Sequence, residues 1–279
     1  MHVLILSCLT GFSHKCIIRV LGWNIMGSHN RRWARVREQV VLANIQRYGI
    51  VFLQEVPWAL TDIKKRFATP ARYDVVMPKE KSSRSSCILY NTSKLEGVDD
   101  DTNSITETMK SVQGRAHREY SKRLGVKVFT LKGKRTTKFV AISLHAPRRN
   151  TKHFCDVVKA SIEKVVADHK LPVLVGGDFN TDIYGWKNEG FLGLHEARHK
   201  RIDFIVMKVP RRNRLRIAKV QMRENVVIPR ETQKLEVMRE GERTSVKKFK
   251  KQYTYKFYQG LCDSPMPLTA EISERASRE

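Results

Sequence analysis

The sequence predicts an α+β fold, because strand-like apolar runs alternate along the 279 residues with longer stretches at helical spacing. Five of the strand-like runs end abruptly on Asn, Glu, His or Asp rather than fading into a generic turn. The 41% hydrophobic fraction can fill one large core, and neither an internal repeat nor a linker divides the chain. One domain over 17–273 is expected, with an N-terminal extension at 1–16 and a tail at 274–279.

The elements follow in order. Ile17 to Asn24 reads as a strand delivering Asn24. Arg31 to Arg47 carries Trp33, Val36, Val40, Val41 and Ile45 near helical spacing and is expected to pack on the first sheet. Gly49 to Glu55 delivers Glu55, and Pro57 stops it because proline cannot donate to a sheet ladder. Ser82 to Asn91 is a polar turn feeding a strand. Gly97 to Arg118, acidic at Asp99-Asp100-Asp101 and poor in aliphatics, reads as an exposed loop. Lys138 to His145 delivers His145 ahead of Pro147. Phe154 to His169 returns to helical spacing with Val157, Val158, Ile162, Val165 and Val166, ending before Pro172. Arg201 to Met207 sets Asp203 on the face opposite Ile202 and Phe204. Gln252 to Tyr258 alternates as a strand with buried aromatics.

The densest signal is Leu171-Pro-Val-Leu-Val-Gly-Gly-Asp-Phe-Asn180. Successive strand side chains point to opposite faces, so Asp178 and Asn180 share one while Phe179 faces away. Gly176-Gly177 lets the backbone turn tightly or approach a ligand. A carboxylate and an amide held together suit a Mg²⁺-phosphate or a polarised water; the competing reading is a strand closed by an Asx-type turn. Five such ends converging on one edge would gather hard oxygen ligands for Mg²⁺.

The ordered set Gly-Trp-Asn24, Leu-Gln-Glu55, Ser-Leu-His145, Gly-Asp-Phe-Asn180 and Arg-Ile-Asp203 resembles the endonuclease/exonuclease/phosphatase superfamily, which includes deoxyribonuclease I, over about Ile17 to Ile272. The resemblance implies a four-layer α/β-β/α sandwich: two mostly antiparallel sheets flanked by helices. It implies a Mg²⁺-dependent phosphodiesterase, with Mn²⁺ or Ca²⁺ as alternative ions. Glu55 would hold the metal beside Asn24, Asp178 would orient or deprotonate the attacking water, and Asn180 would grip the scissile phosphate. His145 would contact phosphate or protonate the leaving group, with Glu80 as its orienting acid. Arg84 and Arg148 are candidate phosphate contacts.

The sequence departs from the family near its end. Enzymes of this fold close with Ser-Asp-His before an apolar strand, and Asp203 would orient that histidine. Here the stretch is Leu261-Cys-Asp-Ser-Pro-Met-Pro-Leu-Thr-Ala-Glu-Ile272. Asp263 matches the acid, as catalytic residue and metal ligand, but no histidine follows: the position is either substituted by Ser264 or deleted. A serine hydroxyl cannot act as acid or base near neutral pH, and loss of one such group costs on the order of 10²–10⁴ in rate. The expectations are therefore a nuclease with weakened turnover, an inactive nucleic-acid-binding pseudoenzyme, or a phosphatase or sphingomyelinase of the same fold.

A formal charge of +25 favours a polyanionic partner, nucleic acid above all and DNA before RNA. Pro210 to Arg216 and Lys247 to Lys251 concentrate that charge and also resemble weak nuclear-localisation patches. Five cysteines without metal spacing argue against a structural zinc site and a disulfide framework. Met1 to Thr10 has no basic lead-in and is too short to span a membrane. An intracellular monomer is expected, nuclear targeting and secretion both remaining open.

Overall fold

The computed structural model describes residues 17–25, 41–56, 72–78, 86–193, 203–211, 215–222 and 268–274. The first sheet holds β1 (Ile17–Asn24), β2 (Ile50–Gln54), β3 (Tyr73–Val76), β4 (Cys87–Asn91), β11 (Leu215–Met222) and β12 (Leu268–Glu274), in the order β11-β12-β1-β2-β4-β3. The second holds β5 (Leu95–Val98), β6 (Leu124–Leu131), β7 (Lys134–His145), β8 (Val173–Asp178), β9 (Phe191–Leu192) and β10 (Asp203–Lys208), in the order β5-β6-β7-β8-β10-β9. Each sheet has one parallel pair, β1 with β2 and β7 with β8; the other pairings are antiparallel. The apolar tail that closes the sequence thus enters the first sheet as β12, beside β1.

Alternation along the strands divides the core into three layers. Ile18, Val20, Ile50, Phe52, Phe139, Ala141, Leu174, Ile205 and Met207 face one another between the sheets. Leu21, Trp23, Val51 and Leu53 turn outward and meet Val41 and Ile45 of the helical residues 41–45. Val140, Ile142, Leu144, Val173 and Val175 turn outward from the second sheet against Phe154, Val158, Ile162 and Val165. Those last four lie on α2 (Thr151–His169), the helix expected from Phe154.

The predicted loop at Gly97 to Arg118 is instead helical. Its first part is α1 (Asp99–Gln113), followed by a turn and a short helix at His117–Tyr120. Asp99, Asp100 and Asp101 occupy the first helical turn, where the partial positive charge of the helix end favours carboxylates. Ile105, Met109 and Gln113, four residues apart, are buried and suffice to dock α1. Lys127 pairs with Asp99 and Lys138 Nζ lies 2.7 Å from Asp101 Oδ2, tying α1 to β6 and β7. The Lys127 hydrogen bond holds the Asp99 carboxyl below its ordinary pKa. Acidity that looked like a disorder signal is a helix start.

Gly176 and Gly177 serve close approach. A Cβ on Gly176 would stand 2.1 Å from the Phe52 ring of the opposite sheet, and one on Gly177 would stand 1.9 Å from the Leu144 carbonyl oxygen of the neighbouring strand. The pair lets β8 sit tight against both neighbours. Gly176→Ala is expected to destabilise the chain by about 1–3 kcal/mol through overpacking. Adding Phe52→Leu should return part of that loss, read as a partial recovery of the urea midpoint.

Candidate active site

Four strand ends from two sheets meet at one rim. On each strand the polar residue at the rim continues the face that looks between the sheets: Asn24, His145 and Asp178 end β1, β7 and β8 after Val20, Ala141 and Leu174, and Asp203 begins β10 before Ile205. Parallel pairing sets His145 opposite Asp178, and antiparallel pairing sets Asp203 opposite Asp178 from the other side. Asn24, Glu55, His145 and Asp178 are buried.

Their contacts cross between the sheets. Asn24 Nδ2 donates to Asp178 Oδ2 at 2.9 Å and lies 3.4 Å from Glu55 Oε1. His145 Nε2 stands 3.8 Å from both Glu55 Oε1 and Asp178 Oδ2. One amide and one imidazole nitrogen therefore see the same two carboxylate oxygens. Glu55 sits one residue beyond β2 with φ 55°, a left-handed conformation that costs a non-glycine residue about 1–2 kcal/mol. Asn180 is left-handed too, at φ 51°, which asparagine tolerates better. Non-glycine strain persists where surrounding structure overdetermines it, and it clusters at functional sites.

Asp178 and Asn180 form the Asx-type turn that was the competing reading of their run. The Asn180 N–H donates to Asp178 Oδ1 at 2.8 Å, which is the Asx-type turn. Asn180 Nδ2 donates to the Ala146 carbonyl at 2.7 Å, fastening the turn to the loop after His145. Phe179 turns away into the layer under α2, against Trp186 and Phe204. The turn thus positions the carboxylate.

Asp203 is half-buried, and its carboxyl is pushed well above the ordinary range by burial and then by the neighbouring Asp178 charge. Arg148 lies in the exposed loop that follows Pro147. Glu80, Arg84 and Asp263 lie outside the described residues, as do Lys247 to Lys251, Gln252 to Tyr258 and most of the expected helix at Arg31 to Arg47.

Sequence reasoning overlooked the residues that brace the rim. Gln54 Nε2 donates to Ser143 Oγ at 3.3 Å, linking β2 to β7 across the sheets. Ser86 Oγ lies 2.9 Å from the Ser143 carbonyl and 2.8 Å from the Arg123 carbonyl. Arg123 Nη1 donates to the His145 carbonyl at 3.2 Å. Ser143, two residues before His145 and on its face, could have been found by alternation; Gln54 stands inside the Leu-Gln-Glu run but was passed over for its neighbour. Arg123 and Ser86 carry no comparable signal.

No protein-family model and no curated sequence matches the chain. Solved structures do. An endonuclease/exonuclease/phosphatase family protein from Bacteroides thetaiotaomicron superposes with a TM-score of 0.58 at 13% identity, covering 95% of this chain and 99% of that one. D. rerio TDP2 complexed with a single-strand DNA product gives 0.56 at 13% identity, covering 92% and 98%. The B. thetaiotaomicron mannosyl-6-phosphatase Bt3783 gives 0.55 at 14%, covering 91% and 99%. The chain has the endonuclease/exonuclease/phosphatase fold. The four-layer sandwich expected from the motifs is therefore the architecture observed.

In that fold the described residues offer oxygen donors rather than a closed metal cage. No group of three or more His, Cys, Asp or Glu among them is arranged to hold an ion. Mg²⁺ needs less, since it binds through one or two carboxylates and keeps waters or substrate phosphate. A single buried carboxylate at Glu55, with the Asn24 amide beside it, fits that requirement, and Asp178 lies on the other side of the same amide.

Two outcomes test this geometry without assuming an activity. Glu55→Gly should be more stable than Glu55→Ala by about 1–2 kcal/mol, because only glycine relieves the left-handed backbone, measured by urea unfolding. Asp203 keeps its proton to higher pH in the native chain than in the unfolded one, so stability falls as pH rises from the unfolded carboxyl value through the native one. In EDTA, Asp203→Asn should remove that fall, seen as a flatter plot of urea midpoint against pH.

Proposed function

We propose that this chain is a divalent-metal-dependent phosphodiesterase that hydrolyses nucleic acid. The observation that carries the reading is the Asn24, Glu55, His145 and Asp178 cluster at the shared rim of the two sheets. The fold it occupies is shared with a TDP2 structure that holds single-strand DNA, and the +25 charge suits a polyanion.

Each group has a task in phosphodiester hydrolysis. Glu55 and Asn24 would hold Mg²⁺, with Asp263 as a further ligand; the ion, when bound, neutralises phosphate charge and stabilises the leaving oxygen. Asp178, oriented by Asn24 and by the Asn180 N–H, accepts the proton of the attacking water. His145 donates a hydrogen bond to the phosphate or a proton to the leaving oxygen. Asn180 Nδ2 gives one hydrogen to the Ala146 carbonyl, and its second would donate to the phosphate. Asp203, which in this family would orient the histidine absent after Asp263, faces Asp178 from the neighbouring strand.

A second reading has its own observation. Asp263 is followed by Ser264 and no histidine, which favours a binder that kept the groove and lost turnover. A supercoiled plasmid with Mg²⁺ separates the two. The parent is expected to nick slowly, Asp178→Ala to lose about 10²–10⁴ of that rate, and Ser264→His to gain. A parent and a Ser264→His variant that both bind DNA and never nick it would establish the binding module. EDTA should abolish nicking while leaving binding in place.

A further inference from the structure

A cavity of about 470 Å³ opens where α1, the start of β6 and the residues that follow β3 meet, and none of the rim residues lines it. That volume suits a small organic ligand. Met77, Pro78, Met109, Leu124 and Val126 give it an apolar wall. Met109, Gln113 and His117 follow at intervals of four along α1 and the turn beyond it, so the wall passes from apolar to polar in that direction. Arg118 stands exposed at its polar end.

Most polar side chains of this wall have partners. Thr102 Oγ1 donates to the Val98 carbonyl at 2.5 Å, Thr106 Oγ1 donates to the Thr102 carbonyl at 2.8 Å, and Lys110 pairs with Glu107. His117 Nδ1 lies 2.7 Å from Gln113 Oε1, and burial, then the Lys110 charge, holds that imidazole below its ordinary pKa. Gln113 Nε2 is the exception. The residue is only 5% exposed, and this nitrogen, whose two hydrogens both need acceptors, has no hydrogen-bond partner. A buried donor without an acceptor costs stability, so its presence here points to an acceptor that comes from outside. Charge agrees. Two cations of the wall, Lys110 and Arg118, stand against one acid, Glu107, and Arg118 makes no ion pair among the described residues.

We propose that this cavity binds an amphipathic carboxylate, its apolar body against Met109, Leu124 and Val126 and its oxygens on Gln113 Nε2 and the Arg118 guanidinium. A slight turn of the terminal amide, whose torsion is soft, brings Nε2 to the cavity that the Gln113 side chain lines. The carboxylate supplies the missing acceptor, and guanidinium suits it because its fork of donors matches two oxygens at once. None of these residues takes part in the proposed hydrolysis, so the site stands or falls apart from it.

Octanoate, with 1-octanol as its uncharged counterpart, probes the site by isothermal titration calorimetry on the full chain. A single octanoate should bind, and octanol about tenfold more weakly, the worth of one charge-assisted hydrogen bond. Gln113→Met keeps the length of the side chain and removes the donor; it should weaken octanoate about tenfold and leave octanol unchanged. Arg118→Gln should weaken octanoate, whereas Lys132→Gln, which removes an exposed cation outside the cavity, should not. Thermal melting checks that each variant folds, and Arg118→Gln, at an exposed position, decides the matter if Gln113→Met does not. Octanoate binding that is absent, is matched by octanol, survives both cavity substitutions or falls equally with Lys132→Gln overturns the site.

Discussion

The hydrogen bond from Asn24 to Asp178 crosses from one sheet to the other, and the site exists only because that crossing is 2.9 Å long. Such closeness requires the two sheets to meet without a spacer under the rim. Gly176 provides it, since any side chain there would collide with Phe52 from the facing sheet. Gln54 and Ser143 then tie β2 to β7 one layer below the reacting groups. The packing of the core and the geometry of the rim are one constraint seen at two depths.

That constraint assembles carboxylates that repel one another. Glu55 and Asp178 share the same imidazole and amide, and burial, with the Asp178 charge second, lets Asp203 keep its own proton to higher pH. Left-handed backbone at Glu55 adds strain. A fold selected only for stability would relieve both. Electrostatic and conformational strain in one place is the pattern expected where pre-organisation for a cation and a phosphate outweighs stability.

The acidic rim sits in a strongly basic chain, and the two signs divide the work. On the proposed nuclease reading, positive charge would attract a phosphate backbone from a distance and without sequence preference, and the carboxylates would act only on what reaches the rim. The two structural neighbours named above, a DNA complex and a mannosyl-6-phosphatase, have this same fold, so the fold alone does not set a substrate.

Much of the site was legible because alternation is a local rule: an apolar run that ends on Asn24, His145 or Asp178, or begins at Asp203, already declares which face the polar group joins. Where local composition misled, the cause was tertiary. Asp99 to Asp101 looked disordered until α2, β6 and β7 supplied burial for Ile105 and Met109 and cations for the aspartates. Gly176-Gly177 suggested a ligand approach, yet the partners of its close contacts, Phe52 and Leu144, are remote in sequence. The sequence by itself determined the fold class and which polar residues stand at the strand ends, since these follow from periodicity and order along one chain, and its resemblance to the superfamily marked the histidine absent after Asp263. Only the tertiary structure decided that Asn24 bonds Asp178 and that Glu55 turns left-handed toward His145, because those distances depend on how two sheets stack.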